Sequence, residues 1–140
     1  MTKNAYKRFC RARRRGVGGL FSQPKKPMKI YIICPVRNGT PPDVAEYVRT
    51  LELSGKCVHF PPRDAPQEDE TGWNICTVHR DALFQSDEVH VFWDVDSKGS
   101  HFDLGMAFSL AKPVRLIKTY RPDTEGKSYV KVMEKWQSES

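Results

Sequence analysis

Residues 88–118, EVHVFWDVDSKGSHFDLGMAFSLAKPVRLIK, contain the pattern from which the fold class follows. An apolar, β-rich run leads into a turn of small and polar residues, and the turn leads into a helix that stops before Pro113. A second β-rich run, VRLIK, comes next. Strand, helix and strand joined by short connections predict two parallel strands with a crossover helix between them.

The same alternation of strand and helix patterns runs along the chain from residue 28. We expect strands at residues 29–34, 56–60, 88–95 and 114–118, and helices at residues 44–55 (capped by Asp43), 73–87, 100–112 and 128–137. This order predicts an α/β fold, a flavodoxin- or Rossmann-like three-layer sandwich with a mostly parallel sheet of about four or five strands flanked by helices. Loops 35–42, 61–72 and 96–100 then leave the carboxyl edge of the sheet, where ligands bind in such folds.

The net charge of +6 is concentrated at the N-terminus. Residues 1–27 carry nine Lys and Arg and no acid, whereas residues 28–140 carry 14 Lys and Arg against 17 Asp and Glu. We therefore expect a basic, flexible extension at residues 1–27 and a single α/β domain at residues 28–140. The extension either contacts nucleic acid through its phosphates or is a solvated arm.

Several classes of protein are not favoured by the composition. No apolar run approaches the roughly 18 residues of a membrane span, and the N-terminus lacks the apolar segment of a signal peptide. The four cysteines form no C-x-x-C pair, and the four histidines show no metal-ligand spacing. We expect a cytoplasmic protein with no membrane contact, no metal and no cofactor.

The turn before the third long helix has two interpretations. Ser100 as N-cap and Asp103 three residues later approximate a capping box, which is a structural role. Alternatively, Ser97, Lys98, Gly99 and Ser100 form the anion-attracting start of a helix, with hydroxyl donors and one positive charge. In that case Asp103 is a carboxylate beside a bound phosphate.

The loop after the first strand carries a second group of candidates. Arg37, Asn38 and Gly39 come just after the strand, and an arginine there suits bidentate phosphate binding. The alternative, favoured when this residue is taken alone, is an exposed surface arginine. Tyr31 lies inside the apolar strand, where a buried hydroxyl needs a partner such as a site carboxylate.

Further carboxylates are predicted near the same edge of the sheet, at Asp81, Asp94 and Asp96. Paired carboxylates are typical of glycosidic chemistry, in which one acid attacks the sugar and another handles protons. Ordinary solvated charge is the alternative. Three more side chains near this edge have either a structural or a functional role: His79, His101 and Trp73, whose ring can stack on a base.

Three segments together resemble the nucleoside 2-deoxyribosyltransferase superfamily. They are IYIICPVRNG at residues 30–39, RDALFQSDEVHVFWD at residues 80–94 and SKGSHFDLGMAFSLAKPV at residues 97–114. The resemblance spans residues 29–116. It is nearest to the short members that hydrolyse the N-glycosidic bond of deoxynucleoside 5′-monophosphates.

The resemblance implies roles for individual residues. Asp103 matches the family's nucleophilic Glu and attacks C1′ of the sugar to form a covalent intermediate. Tyr31 matches the strand tyrosine near the nucleophile, Arg37 the phosphate-side arginine, and Ser97 the phosphate-binding serine. The family's acid on the second helix matches Asp81 by local sequence but His79 by spacing.

The sequence also departs from the family pattern. Asp103 is one methylene shorter than Glu, and a misplacement of about 1 Å can cost on the order of a hundredfold in rate. Lys98 and His101 add charge and bulk where the family often has small residues. The resemblance further implies a homodimer or higher homo-oligomer, because one subunit of the family can complete the site of its neighbour.

Two functions therefore compete. The first is an N-glycoside hydrolase or nucleoside deoxyribosyltransferase acting on a nucleotide or nucleoside. The second is a non-catalytic nucleotide-binding or sensing protein of the same fold, with Asp103 as a helix cap and the basic tail contacting nucleic acid.

Overall fold

The computed structural model describes residues 26–140. The strands are β1 (Lys29–Ile33), β2 (Cys57–His59), β3 (Glu88–Trp93) and β4 (Val114–Thr119). The helices are α1 (Pro42–Leu53), α2 (Pro61–Asp64), α3 (Trp73–Gln85), α4 (Lys98–Ser109) and α5 (Tyr129–Glu139). The predicted basic extension, residues 1–27, lies almost wholly outside the described residues, so its nucleic-acid contact stays a prediction.

The four strands form one parallel sheet in the order β2-β1-β3-β4. Tyr31 of β1 pairs with His59 of β2 on one side and with Val89 of β3 on the other. The chain moves from β1 outward to β2, then back across to β3 and β4. Right-handed crossovers therefore place α1 on one face of the sheet and α3 and α4 on the other. The predicted three-layer α/β fold is confirmed.

The core lies on both faces of the sheet. The face covered by α3, α4 and α5 buries Tyr31, Val91, Trp93, Leu83, Leu104 and Met133, among others. The face covered by α1 buries Ile30, Ile32, Phe92, Val44 and Val48, among others. Full burial of one such aliphatic side chain contributes on the order of 1.5–3 kcal/mol. Because neighbouring residues of a strand point to opposite faces, Tyr31 faces α4 while Ile30 and Ile32 face α1.

The start of α4 differs from the sequence prediction. Ser97 is the N-cap, because its Oγ accepts a hydrogen bond from the Ser100 N–H at 3.4 Å, and the helix begins at Lys98. A turn fixes this start, since the Ser97 N–H donates to the Asp94 carbonyl at 3.0 Å. Asp103 consequently lies in the second turn of the helix. The capping-box interpretation of Ser100 and Asp103 is wrong.

Two smaller expectations are also corrected. The predicted loop 61–72 contains the short helix α2, which begins where the Phe60 N–H donates to Asp64 Oδ2 at 2.8 Å. Asp43 does not cap α1 with its side chain. Its carboxylate instead accepts hydrogen bonds from Lys118 Nζ at 2.8 Å and the Tyr120 hydroxyl at 3.1 Å, which tie the start of α1 to the end of β4.

Candidate active site

Tyr31 and Asp103 form a buried polar pair between β1 and α4. The Tyr31 hydroxyl donates a hydrogen bond of 2.8 Å to Oδ2 of Asp103. Tyr31 is 0% exposed and Asp103 is 8% exposed. Asp103 belongs to the buried stripe of α4, together with Ser100, Leu104 and Ala107, and this helical spacing directs its carboxyl group at the sheet.

The surroundings of the pair set its protonation. Burial raises the pKa of Asp103 to about 7, and the hydrogen bond from Tyr31 acts in the opposite direction. Burial, followed by the nearby Asp103 charge, raises the pKa of Tyr31 well above its ordinary value, so its hydroxyl remains a donor. Asp103 therefore exchanges its proton near neutral pH. Its second oxygen, Oδ1, accepts no hydrogen bond from the described residues.

Two buried histidines stand beside Tyr31. The His59 ring of β2 stacks on the Tyr31 ring with centroids 5.0 Å apart, and the His79 ring of α3 meets it edge-on at 5.9 Å. His59 Nε2 lies 3.2 Å from His79 Nδ1. Burial lowers the pKa of His59 to about 3 and that of His79 to about 4. Both rings are therefore neutral at pH 7 and act through hydrogen bonds rather than charge.

Helix α3 brings His79, and not Asp81, toward Tyr31. Asp81 follows two residues later, about 200° around the helix. Its side chain is 47% exposed and lies 3.9 Å from Arg80 Nε. The structure therefore does not bring Asp81 to Asp103. Trp73, the first residue of α3, is 68% exposed, so its ring faces solvent.

The first turn of α4 leaves backbone donors available. Ser97 Oγ lies 2.8 Å from Ser100 Oγ, and the His101 N–H donates to the Ser97 carbonyl at 3.3 Å. The N–H groups of Lys98 and Gly99 belong to the helix start, where no intrahelical acceptor exists, and both residues are exposed. This end of the helix can receive an anion.

The loop after β1 has the form of a tight, exposed turn. The Gly39 N–H donates to the Val36 carbonyl at 3.1 Å, and Gly39 adopts a φ of 95°, a conformation that favours glycine. Arg37 and Asn38 lie at the exposed tip. Because β1 and β3 are adjacent and parallel, this loop and the loop before Ser97 leave neighbouring strand ends.

Asp94 fixes the loop between β3 and α4. Its Oδ1 accepts hydrogen bonds from the Asp96 N–H at 3.0 Å and from Arg121 Nε at 3.1 Å. The Arg121 guanidinium also lies 2.8 Å from Asp96 Oδ2. The backbone hydrogen bond from Asp96, together with Arg121, lowers the pKa of Asp94. In the structure, the Asp94 carboxylate therefore stabilises this loop.

His101 lies on another side of α4 from Asp103. Its Nδ1 is 2.8 Å from the Ser97 carbonyl, which accepts, so this nitrogen carries a hydrogen. The ring sits between Trp93, at 4.7 Å, and Tyr129, at 5.4 Å. About 200° of helix separates His101 from Asp103, so His101 does not join the Tyr31 pair.

Sequence reasoning missed three residues that the structure places at this edge: His59, Arg121 and Tyr129. His59 ends β2, Arg121 follows β4, and Tyr129 opens α5. The polar loop after the fourth strand was the available signal for Arg121.

Residues 26–140 contain no group of three or more His, Cys, Asp or Glu side chains arranged to hold a metal ion. Within the same range, no helix has the length and apolar character needed to cross a membrane. The predictions of no metal and no cofactor stay predictions.

The fold is similar to the solved structure of a CMP N-glycosidase, BcmB, from Clostridium botulinum. The match covers 76% of this chain and 80% of that chain, with 15% sequence identity and a TM-score of 0.54. No protein-family model matches the sequence, and no curated protein does either. At this identity the likeness shows the fold. The chain and that enzyme share a parallel α/β fold.

Proposed function

We propose that this protein cleaves the N-glycosidic bond of a nucleotide, specifically a nucleoside 5′-monophosphate, with Asp103 as the nucleophile. The buried 2.8 Å hydrogen bond between Tyr31 and Asp103 carries the proposal, because it engages one carboxyl oxygen and leaves the other to attack. The similar fold of a CMP N-glycosidase supports the reaction class. The sequence resemblance supports the choice of nucleophile.

The reaction proceeds in two displacements. Oδ1 of Asp103 bonds to C1′ while the bond from C1′ to the base nitrogen breaks, and the base leaves with the electron pair and gains a proton. Water then bonds to C1′, the ester to Asp103 breaks, and a proton is released. A second base in place of water gives transfer. Two successive inversions retain the configuration at C1′.

Ionisation of Asp103 is the condition for attack. Only the carboxylate form of Asp103 is a nucleophile. With a pKa of about 7, this side chain is ionised in roughly half of the protein molecules at neutral pH. The Tyr31 hydroxyl favours that form by donating to it. A carboxylate withdrawn from water also carries less hydration that must be shed before it reaches C1′.

His79 is our candidate for the group that meets the departing base. It is 8% exposed and lies against Tyr31, on the same side of the sheet as Asp103. With a pKa of about 4, its ring is neutral at pH 7, so it offers the base one hydrogen bond rather than a charge. Trp73, at the start of the same helix, is exposed and available to stack on the base.

The phosphate end of the substrate is assigned to the two neighbouring loops. Arg37 and Lys98 are exposed, and neither forms an ion pair with another described residue. The α4 start adds the backbone donors of Lys98 and Gly99 and the Ser97 hydroxyl. Two cations beside a helix start favour a phosphorylated substrate over a nucleoside.

We also propose that the protein is a homo-oligomer. The outer faces of α3 and α4 leave Phe84 and Phe102 exposed by 69% and 56%. Large exposed aromatic side chains on packed neighbouring helices are typical of a surface that a partner covers. Sedimentation of the wild type and of a Phe102→Asp variant tests this. A wild type that is monomeric at all concentrations contradicts it.

The activity test is release of free base from a panel of deoxynucleoside and ribonucleoside 5′-monophosphates, measured by chromatography. We expect release by the wild type and none by Asp103→Asn. Asp103→Glu keeps the carboxylate but lengthens it, and because Asp103 already reaches Tyr31 at 2.8 Å, we expect a rate at least about tenfold lower.

Two results contradict the proposal. Equal release by wild type and Asp103→Asn removes Asp103 as the nucleophile. Saturable nucleotide binding without release from any member of the panel, even with an acceptor base supplied, identifies a nucleotide-binding protein instead.

A further inference from the structure

A cavity of about 500 Å³ lies on the α5 side of α4, and Asp103 does not line it. The ends of β3 and β4, the loop 120–128 and the first turn of α5 bound it. Its lining includes Trp93, Val95, Arg121, Lys127, Tyr129 and Val132. Small-molecule sites occupy roughly 300–1,000 Å³, so the cavity has the size of a ligand site.

Aromatic and aliphatic side chains form one part of the cavity wall. Trp93 is 2% exposed and forms the inner wall, and Tyr129 is 54% exposed at the rim. Their ring centroids are 6.0 Å apart, and the His101 ring packs against both. Val95 and Val132 are 53% and 44% exposed. A planar ring placed here removes apolar surface of these side chains from water.

The loop that closes the cavity is held in place by its own hydrogen bonds. Lys131 Nζ donates to three successive carbonyls, those of residues 124–126, at 2.7, 2.7 and 2.6 Å. The Ser128 hydroxyl donates to Asp123 Oδ2 at 3.0 Å and caps α5. The wall is therefore formed before any ligand arrives, which reduces the ordering cost of binding.

The charges around the cavity have both signs. Arg121 already pairs with two carboxylates of the β3–α4 loop. Lys127 forms no ion pair within residues 26–140, and the Asp123 carboxylate also lines the cavity. A strongly charged ligand of either sign is attracted by one of Lys127 and Asp123 and repelled by the other, so its charge adds little to binding. A neutral ring with both acceptor and donor atoms on its edge matches Lys127 and Asp123 together.

We propose that this cavity binds a neutral nitrogen heterocycle of nucleobase type. The ring face lies against Tyr129 and the valine side chains, and the ring edge meets Lys127 and Asp123. The site is separate from the Tyr31–Asp103 pair and does not depend on the proposed glycosidase activity.

The test is calorimetric titration of the full chain with free purine and pyrimidine bases, with indole, and with benzoate. We expect saturable binding of at least one base, with one molecule per chain, to both wild type and Asp103→Asn. Tyr129→Ala and Lys127→Gln remove the ring contact and the edge donor, and we expect each to weaken binding at least about tenfold. Leu53→Ala and Arg49→Gln change an exposed apolar residue and an exposed cation on α1, and we expect no change.

Three outcomes overturn the proposal. The first is no saturable binding of any base to the wild type. The second is binding that Asp103→Asn abolishes and Tyr129→Ala preserves, which places the ligand beside Asp103. The third is benzoate or indole binding as tightly as every base, which removes the role of the ring edge. The bases are not turned over, so failure of the glycosidase assay leaves this test intact.

Discussion

The Tyr31 hydroxyl lies 2.8 Å from Oδ2 of Asp103, and both groups are withdrawn from solvent. Water has little access to replace either partner, so loss of this bond costs more than loss of a surface hydrogen bond. The bond also opposes the rise that burial causes in the pKa of Asp103. It therefore links the geometry of the pair to the pH at which the carboxylate forms.

Replacing Tyr31 by Phe removes the donor and keeps the ring. The pKa of Asp103 then rises further above about 7, because burial acts unopposed. Since attack requires the carboxylate, kcat/KM increases with pH through this pKa, and we expect its midpoint to move to higher pH in Tyr31→Phe. The pH profile of base release measures this. Identical midpoints in the two proteins contradict a role for Tyr31 in ionising Asp103.

The raised pKa of Asp103 also makes stability depend on pH. The folded protein keeps the Asp103 proton up to about pH 7, whereas the unfolded chain loses it near the ordinary value of 3.8. Between these values the folded state binds more protons, so this group's contribution to stability falls as pH rises. Asp103→Asn lacks this titration.

We therefore expect Asp103→Asn to gain stability over the wild type as pH rises from 5 to 8, by about 2–3 kcal/mol. Urea unfolding of both proteins at these two pH values gives the difference, and other titrating groups cancel in it. A difference in unfolding free energy that is the same at both pH values contradicts a buried Asp103 with a raised pKa.

His79 and Asp81 give a matched pair of variants on one helix. His79 is buried beside Tyr31, and Asp81 is half-exposed about 200° away. We expect His79→Asn to lower the rate of base release at least about tenfold and Asp81→Asn to change it less than about twofold. The comparison is made at saturating nucleotide, with circular dichroism to verify folding. The reverse order of effects assigns the departing base to Asp81 instead of His79.

Arg37 provides a test of the substrate's phosphate. Arg37→Gln removes an exposed cation that no described ion pair uses, so the fold does not need it. We expect kcat/KM for a nucleoside 5′-monophosphate to fall about tenfold, and that for the matching nucleoside to stay unchanged. Arg49→Gln, on α1, serves as the control. An equal loss for both substrates contradicts a phosphate contact at Arg37.

Much of the fold was predictable from the order of apolar runs. The parallel sheet follows because strand and helix patterns alternate, and a parallel sheet brings the three polar loops to its carboxyl edge. The start of α4 was not predictable, because both Ser97 and Ser100 are good caps. The choice depends on the turn that Asp94 and Ser97 form.

The site was predictable only in part, because the rotation of each helix about its axis determines which side chains point into the site. The sequence predicts site roles for Tyr31 and Asp103, and the structure joins the two side chains by a hydrogen bond. Asp81 and His79 are two residues apart on α3. Which of them points at the core depends on the rotation of the helix, and the structure buries His79. His59 carried no local signal, since its role depends on strand register beside Tyr31.

The most direct test of the central claim is to trap the intermediate on Asp103. The wild type is mixed with an excess of a nucleoside 5′-monophosphate that releases base, quenched in acid, and examined by peptide mass spectrometry. We expect a sugar phosphate adduct on the peptide that contains Asp103 and none in Asp103→Asn. Base release with no adduct on that peptide, or with an adduct on another residue, contradicts Asp103 as the nucleophile.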